Sequence, residues 1–395
     1  MATLYPAPPR PGFGRFVQAQ LETLARRGDW DVTVINPIGL PPLLPLRRYA
    51  ALRGIPAVET PEDTGGAVTV YHPRFALIPG LSGRFNPALI ARAVLSLARR
   101  LHAQTPFDLV DAQFFYPDGP AAARIARALG LPLAIKARGA DIHYWGSLPP
   151  ALAQIRAAAA QARVLLSVSA ALAQDMATLG LPAERIRVHY TGLDHARFHP
   201  RPRDQARAAL AARHPALTFA ADARVIACVG ALIPRKGADI AISALRDLPA
   251  DVVLVLAGTG EFEGTLRQQV ADAGLSARVR FAGALGHDDL PLLLNAAEAM
   301  VLPSASEGLA NAWVEALASG TPIVIPDIGG ARELVDRAAA GRIAPREPAA
   351  IAQAIAEVLA ARMPQDQVAA SAAHFSWDAN AAALAQIYCD AVRTA

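Results

Sequence analysis

The sequence predicts an α/β protein with two doubly wound domains that face each other across a cleft. Short runs rich in Val, Ile and Leu alternate with Ala-rich helical stretches along the whole chain, which is typical of parallel sheets covered by helices on both faces. The 395 residues exceed what a single hydrophobic core usually organises. A proline-containing stretch at 192–202 interrupts both patterns midway and marks the expected join between the domains.

The predicted strands are short apolar segments. They lie at residues 32–35, 68–71, 109–112, 133–136, 164–167, 186–188, 225–229, 252–256, 279–281, 299–302 and 322–325. Thr3 and Leu4, just before Pro6, are expected to form a short central first strand. Either the start codon lies upstream of Met1 or this strand is truncated.

Composition excludes several classes of protein. The 53% apolar content is ample for two cores, and the two cysteines, Cys228 and Cys389, provide neither a disulfide framework nor a zinc-ligand spacing. No uncharged apolar run reaches the length of a transmembrane helix, and no signal peptide is visible. Basic residues are not interleaved with aromatic ones, so we expect no nucleic acid partner.

Charge is distributed unevenly between the two halves of the chain. Residues 1–200 hold 21 Lys and Arg against 13 Asp and Glu, and residues 201–395 hold 17 against 21. The basic first half could face anionic lipid head groups or a polyprenyl-phosphate acceptor, or its arginines could simply be scattered over solvated helices. Only two of the basic residues are lysines, Lys136 and Lys236, and both are predicted at loop edges near the cleft.

Two carboxylates eight residues apart, Glu307 and Glu315, are the most informative feature of the sequence. Glu307 follows an apolar strand, and Glu315 is expected two turns into the next helix, so the two lie about 12 Å apart along the helix axis. They are too far apart to flank one bond, but they could hold the two ends of a long ligand. A helix N-terminus between them suits a phosphate. A nucleotide sugar has this order of groups.

This Glu-x7-Glu segment, followed by Gly320-Thr321-Pro322, resembles the signature of the retaining GT-B glycosyltransferases of family 4 (group 1). The resemblance covers nearly the whole chain. It implies two Rossmann-like domains: an acceptor-binding domain of residues 1–196 onto which a final helix, 377–395, packs back, and a nucleotide-sugar-binding domain of residues 197–376. It also implies that Glu307 contacts the donor sugar and Glu315 the ribose hydroxyls.

Further donor-site residues follow from the same resemblance. Arg235 and Lys236, in the turn after strand 225–229, match the basic Lys-Gly signature that stabilises the donor diphosphate, so Glu307, Lys236 and Arg235 are the candidate catalytic residues. The remaining candidate donor-binding residues lie in loops after strands or at the start of the helix that carries Glu315. They are Gly230, Gly258, Ala284, Leu285, Gly308, Leu309, Ala310 and Asn311.

The same resemblance implies that candidate acceptor-binding residues lie in the first domain. Gly12, Phe13 and Gly14 form a Gly-rich loop that leads into a helix, and Arg138, Asp141 and His143 follow the strand 133–136. A Gly-rich loop could equally mark a dinucleotide turn, but no acidic residue closes the second strand. His143 could titrate near neutral pH or could be a buried structural residue.

The resemblance therefore implies a retaining, metal-independent glycosyltransferase that moves a hexose from a UDP or GDP sugar to a glycan or lipid-linked acceptor, in surface polysaccharide assembly. No cofactor beyond the co-substrate is expected. The expected location is cytoplasmic, with possible peripheral contact with the inner membrane surface. Two alternatives are a sugar-nucleotide epimerase of the same fold and an inactive nucleotide-binding module. His287-Asp288-Asp289 could be mistaken for a metal site, but an Asp that caps the next helix is favoured, and no metal is expected.

Overall fold

The computed structural model describes residues 1–9, 12–42, 49–60, 68–78, 80 and 83–393. The chain forms two compact units, of which the first comprises Met1–Gly192 with Trp377–Ala395 and the second comprises Leu193–Ser376. The division after Gly192 falls four residues before the predicted boundary at 196.

Strands and helices alternate in both units. The strands are β1 (Val32–Ile35), β2 (Ile38–Leu40), β3 (Val58–Glu59), β4 (Val68–Tyr71), β5 (Arg74–Ala76), β6 (Val110–Ala112), β7 (Leu133–Ala137), β8 (Val164–Ser167), β9 (Ile186–Val188), β10 (Arg224–Val229), β11 (Val252–Ala257), β12 (Val279–Gly283), β13 (Ala299–Val301), β14 (Ile323–Ile325) and β15 (Gly341–Ile343). The α-helices are α1 (Arg15–Arg26), α2 (Ala50–Arg53), α3 (Asn86–Gln104), α4 (Asp118–Leu129), α5 (Ala140–His143), α6 (Pro149–Gln161), α7 (Ala170–Thr178), α8 (Arg203–Arg213), α9 (Ala238–Ala244), α10 (Glu263–Asp272), α11 (Leu290–Ala296), α12 (Asn311–Ala318), α13 (Ala331–Leu334), α14 (Pro348–Ala361), α15 (Gln365–Ala369) and α16 (Trp377–Arg393).

Unit 1 contains a sheet of order β3-β4-β1, a parallel pair β2-β5 and a parallel sheet of order β6-β7-β8-β9. The predicted strand at Thr3–Leu4 is wrong, because these residues form a turn. The Thr3 N–H and hydroxyl groups both donate to the carboxylate of Asp118, at 2.9 and 2.7 Å, and the Tyr5 N–H closes the turn on the carbonyl of Ala2. The Asp118 side chain thus binds the Thr3 backbone N–H, which a strand would need for pairing.

Lys136 does not lie at a loop edge, contrary to the prediction. Strand β7 continues to Ala137, and all five of its residues are buried. The Lys136 ammonium group donates to the Gln20 side-chain oxygen at 2.8 Å and contacts Nδ1 of His189 at 2.6 Å. Burial lowers the pKa of Lys136 well below its usual value. This lysine therefore belongs to a polar network inside unit 1.

Helix α16 packs in unit 1 through its apolar face. Leu384 and Tyr388 share a buried cluster with Leu24 of α1 and Leu166 of β8. Trp377, the first residue of the helix, lies so close to Gly192 that a Cβ atom there would be 2.2 Å from the indole ring. Gly192 is required because any side chain would push the start of this helix away.

Unit 2 has one parallel sheet of six strands, of order β12-β11-β10-β13-β14-β15. The chain builds the sheet outward from β10 in one direction through β12 and then returns to add β13, β14 and β15 on the other side. The strand order thus reverses between β10 and β13. In doubly wound sheets, ligands bind outside the carboxyl ends of the strands at such a reversal.

Asp289 occupies the residue before α11, as predicted, but its side chain makes no capping hydrogen bond there. Its carboxylate accepts hydrogen bonds from Arg213 at 2.8 Å and contacts His214 at 2.9 Å, and these contacts lower its pKa. The helix-capping prediction is therefore wrong, because two basic partners on the α8 side take the carboxylate. None of the described helices has both the length and the apolar character that a membrane span needs.

Candidate functional site

The strand reversal in unit 2 brings Lys236 and Glu307 together. Lys236 ends a short 3₁₀ turn, Pro234–Lys236, after β10, and Glu307 lies in the loop after β13. The Lys236 ammonium group donates to Oε1 of Glu307 at 2.5 Å, and the two side chains are only 16% and 10% exposed. An ion pair this sheltered is screened less by salt than a surface pair, so its charges can act strongly on a ligand.

Arg235 contacts the same loop. Its guanidinium group donates to the carbonyl of Ser306 at 2.5 Å and lies 3.5 Å from the Glu307 carboxylate. The backbone adds a further link, because the Ala305 N–H donates to the carbonyl of Arg235 at 2.8 Å. The three predicted catalytic residues therefore lie together, with both cations on one carboxylate.

Helix α12 begins at Asn311, directly after Leu309 and Ala310, and no side chain caps its first turn. The first N–H groups of a helix have no partner within it and attract anions. Glu315 is the fifth residue of this helix, so it lies one turn into the helix and not two as predicted. The difference arises because Ala310 is still in an extended conformation, which delays the start of the helix.

Burial alone raises the pKa of the Glu315 carboxyl to about 7. Across the described ranges, no side chain or backbone N–H donates a hydrogen bond to this carboxyl. It is therefore an unoccupied acceptor that also carries a proton in part of the molecules near neutral pH.

Glycines let three strand-end turns approach each other closely. Gly258 has a φ of 146°, and a Cβ atom there would lie 1.9 Å from the carbonyl oxygen of Gly230. The Gly258 N–H donates to the carbonyl of Gly283 at 2.7 Å, and the Gly230 N–H donates to that of Ala257 at 3.0 Å. The predicted residues Ala284 and Leu285 continue from this last turn, one exposed and one half-buried.

Two contributors to this site were missed in the sequence. Arg346 donates to the carbonyl of Pro303 at 2.8 Å and to that of Pro234 at 3.3 Å, so it ties the loop of Glu307 to the turn of Lys236. Gly329 has a φ of 47°, and a Cβ atom there would lie 2.3 Å from the carbonyl oxygen of Glu307. The Gly329-Gly330 dipeptide after β14 could have indicated the close approach at Gly329. Nothing near Arg346 in the sequence indicates its two carbonyl partners.

Arg138 and Asp141 lie at the carboxyl end of β7 in unit 1. The Arg138 guanidinium group donates to the side-chain oxygens of Gln113 at 2.5 Å and Gln20 at 3.3 Å, and it stacks 4.9 Å from the centre of the Phe16 ring. Burial lowers the pKa of Arg138 to about 10, against the opposing effect of Asp111 and Asp141. The group remains a cation at neutral pH.

The Asp141 carboxylate is occupied by the backbone. It accepts hydrogen bonds from the N–H groups of Phe115 at 2.7 Å, Gly139 at 2.8 Å and Arg138 at 2.9 Å. Burial nevertheless raises the pKa of Asp141 above its usual value. These hydrogen bonds from the backbone to Asp141 fix the conformation of the loop that carries Arg138.

His143 and the Gly-rich loop differ in their surroundings. Nε2 of His143 contacts the carboxylate of Asp175 at 2.9 Å, while its buried Nδ1 has no hydrogen-bond partner among the described residues. Gly12 and Phe13 are exposed. Gly14 has a φ of 70°, and a Cβ atom there would lie 1.5 Å from the carbonyl oxygen of Leu4. All predicted acceptor residues thus belong to unit 1, and all predicted donor residues belong to unit 2.

Several known proteins are similar to this chain. A putative teichuronic acid biosynthesis glycosyltransferase, TuaC, of Bacillus subtilis is 27% identical over 361 residues, which are 90% of this chain and 87% of TuaC. A GDP-mannose-dependent alpha-(1-6)-phosphatidylinositol monomannoside mannosyltransferase of Mycobacterium tuberculosis is 28% identical over 84% of this chain and 86% of its own length.

A solved structure supports the same fold. The crystal structure of Anabaena HepE in complex with UDP and glucose superposes with a TM-score of 0.67 at 21% identity, covering 96% of this chain and 95% of HepE. The chain therefore has the GT-B fold. The family model for Glycosyltransferase Family 4 matches residues 10–197, and the model for Glycosyl transferases group 1 matches residues 212–374. Together with the fold, these matches show that the chain belongs to the group 1, family 4 glycosyltransferases.

Proposed function

We propose that this glycosyltransferase is a retaining enzyme that moves a hexose from a nucleotide diphosphate sugar, either a UDP sugar or a GDP sugar, to a glycan or lipid-linked acceptor. The observation that carries the proposal is the sheltered contact of Lys236 with Glu307 at the strand reversal, directly before helix α12. The GDP-mannose dependence of the mycobacterial relative and the UDP bound to HepE support a nucleotide sugar as the donor.

In this proposal the donor lies along the loop of Glu307 and the first turn of α12. The diphosphate contacts Lys236, Arg235 and the N–H groups at the start of the helix. Glu307 binds hydroxyl groups of the sugar, and Glu315 binds the ribose hydroxyls. The Glu315 carboxyl suits the ribose because no group of the described residues donates a hydrogen bond to it and because it can accept a hydrogen bond or, when protonated, donate one.

In the site without donor, Lys236 and Arg235 both pair with Glu307. Donor binding brings a diphosphate that carries more negative charge than one carboxylate, so Lys236 exchanges its partner for a phosphate oxygen. The exchange releases Glu307 to the sugar. A charge-assisted hydrogen bond contributes about 1.5–3 kcal/mol, and it contributes more to catalysis when the phosphate charge grows in the transition state.

The reaction is a displacement on the front face of the sugar. The bond from the anomeric carbon to the leaving phosphate oxygen breaks while the bond from that carbon to the acceptor oxygen forms on the same side. The acceptor proton passes to an oxygen of the β-phosphate, so the leaving diphosphate acts as its own base. The protein's part is to stabilise the leaving charge, with Lys236 as the main contributor and Arg235 beside it.

The acceptor is proposed to bind unit 1 through Gly12, Phe13, Gly14, Arg138 and His143, with Asp141 holding the loop of Arg138. Arg138 would contact a phosphate or hydroxyl group of the acceptor, since Phe16 and two glutamines already fix its direction. The excess of basic residues in the first half fits a lipid-linked acceptor at the inner membrane surface. We place the enzyme in the cytoplasm in surface polysaccharide assembly, with no metal or other cofactor.

The test begins with a thermal-shift panel of UDP, GDP and ADP sugars. The preferred donor is then incubated with the enzyme, with and without acceptor, and released nucleoside diphosphate is measured together with the anomeric proton coupling in the product. We expect slow hydrolysis without acceptor and a product of unchanged anomeric configuration. An inverted product would refute the retaining mechanism. Tight donor binding without any turnover would favour an inactive module, and an isomerised nucleotide sugar would favour an epimerase.

A further inference from the structure

Lys136 and Arg138, two residues apart at the end of β7, share one hydrogen-bond acceptor. The Lys136 amine donates to Oε1 of Gln20 at 2.8 Å, and the Arg138 guanidinium group donates to the same oxygen at 3.3 Å. Nε2 of Gln20 in turn donates to Oε1 of Gln113 at 3.0 Å, and this second oxygen also accepts a hydrogen bond from Arg138, at 2.5 Å. The guanidinium group therefore lies against the oxygens of two glutamine amides.

Each of these two amides is held in its orientation by a further buried group. Nε2 of Gln113 donates to the carboxylate of Asp111 at 2.5 Å, which leaves the amide oxygen of Gln113 for Arg138. Lys136 does the same for Gln20 from the other side, because its amine can only donate to an oxygen. Its hydrogen bond to that oxygen is the shorter of the two, whereas the contact from Arg138 lies near the limit of hydrogen-bond length.

Lys136 is a neutral amine in this network. Nε2 of His189 contacts the carbonyl oxygen of Asn380 at 2.9 Å, so Nε2 carries the ring hydrogen and Nδ1 accepts from the Lys136 amine at 2.6 Å. Burial lowers the pKa of His189 to about 2 and that of Lys136 well below its usual value. A neutral amine has two N–H groups, and the two acceptors described, on Gln20 and His189, take both of them.

The network changes from buried to partly exposed at Arg138. The side chains of Lys136, Gln20 and Gln113 are fully buried, whereas Arg138 is half-buried and keeps its charge at neutral pH. A neutral amine can hold Gln20 beside this cation without the repulsion that a second buried charge would bring. The charge and the support of this part of unit 1 therefore come from different residues.

We propose that Lys136 is a positioning residue for Arg138: its amine holds the Gln20 amide, and the Gln20 oxygen fixes the direction of the Arg138 guanidinium group. The inference rests on the proposed function, in which Arg138 contacts a phosphate or hydroxyl group of the acceptor. Because Lys136 is fully buried, it acts on the acceptor through Gln20 and Arg138 and not by contact. Precise placement of such a contact group is what makes a binding site effective.

The first test measures the order of the Arg138 side chain. Lys136→Met keeps the length of the lysine and removes both hydrogen bonds that the amine donates. The matched control, Ser167→Ala on the neighbouring strand β8, removes a buried hydroxyl that donates to the carbonyl of Ser169 at 2.8 Å. We expect ¹⁵N relaxation of the Arg138 Nε–H group to give an order parameter that falls from about 0.85 to below about 0.6 in Lys136→Met and stays near the wild-type value in Ser167→Ala.

The second test measures binding of farnesyl phosphate, a short polyprenyl phosphate, by calorimetry. We expect Lys136→Met to weaken the Kd about fivefold, Arg138→Ala about tenfold or more, and Ser167→Ala less than twofold. The double variant should bind no more weakly than Arg138→Ala alone, because the loss of Lys136 has no further effect once the group that it positions is absent.

An unchanged order parameter of Arg138 in Lys136→Met, or losses of affinity that multiply in the double variant, would overturn the proposal. A lower order parameter combined with farnesyl phosphate that binds equally well without Arg138, or does not bind at all, would support the positioning role and refute the proposed acceptor contact instead. If Lys136→Met does not fold, Gln20→Met, which removes the shared oxygen, takes its place with the same expected results and the same refuting outcomes.

Discussion

Replacing Lys236 by alanine removes the cation closest to Glu307 and, in the proposed complex, to the leaving diphosphate. A charge-assisted hydrogen bond contributes about 1.5–3 kcal/mol. Two unit charges about 4 Å apart at an effective dielectric constant near 20 interact by about 4 kcal/mol. Since about 1.4 kcal/mol changes a rate tenfold, Lys236→Ala should lower kcat by a factor of about 100 to 1,000. Initial rates of nucleoside diphosphate release at saturating donor measure this loss.

A control variant separates this effect from a general loss of charge. Arg337 is exposed, and among the residues that the structure describes its side chain pairs only with its neighbour Asp336. Arg337→Ala should therefore keep kcat within about twofold of the wild type. Circular dichroism should show both variants folded. A kcat of Lys236→Ala within about threefold of the wild type would refute the role of this lysine at the leaving group.

Three further predictions follow from individual residues. Glu315→Gln should raise the donor KM, and an unchanged KM with collapsed turnover would contradict the ribose contact. The same variant also tests the burial of the carboxyl. Because burial raises the pKa of Glu315 from its ordinary 4.5 to about 7, the folded chain keeps a proton that the unfolded chain releases between these pH values. The free energy of unfolding of the wild type relative to this variant should therefore fall, by about 2–3 kcal/mol between pH 4 and pH 8 in urea titrations, and a constant difference would argue against burial of the carboxyl. Gly258→Ala should lower the free energy of unfolding by more than about 2 kcal/mol. Gly264→Ala in helix α10 should raise it by about 0.5–1 kcal/mol, because no described atom beyond its chain neighbours and the helix's own backbone lies within 4 Å of the new Cβ atom. Similar effects of the two substitutions would show that the Gly230 turn can move aside. Arg138→Ala should raise the acceptor KM about tenfold or more and leave donor hydrolysis unchanged, and a loss of hydrolysis would place Arg138 at the donor instead.

The sequence was sufficient to assign Lys236 and Glu307 to one candidate site, because their motifs resemble those of the family and both lie in loops that follow apolar strands. The carboxyl ends of parallel strands meet at one edge of a sheet, so residues there converge whatever the details of the loops. The alternation of apolar and helical segments likewise predicted eleven of the strands to within about two residues, since buried parallel strands are recognisable as short apolar runs.

Other features depend on contacts between distant segments, and the sequence did not reveal them. Arg346 reaches two carbonyl groups more than 40 and 110 residues away, and no local pattern encodes such a choice. The burial of Lys136 follows from one additional residue of strand β7 and from two side-chain partners on other elements. Thr3 and Leu4 were predicted as a short first strand before Pro6, but the carboxylate of Asp118 accepts a hydrogen bond from the Thr3 backbone N–H.

Gly192 and Trp377, which touch inside unit 1, mark where the chain leaves that unit and where it comes back. The whole of Leu193–Ser376 is thus an insertion with both ends at one point of its host. A chimaera that takes this segment from a relative with a different donor needs only two splices, side by side, and neither would cut a strand. Under the proposed function, such a chimaera would transfer a different sugar and keep the acceptor-binding residues of unit 1 unchanged.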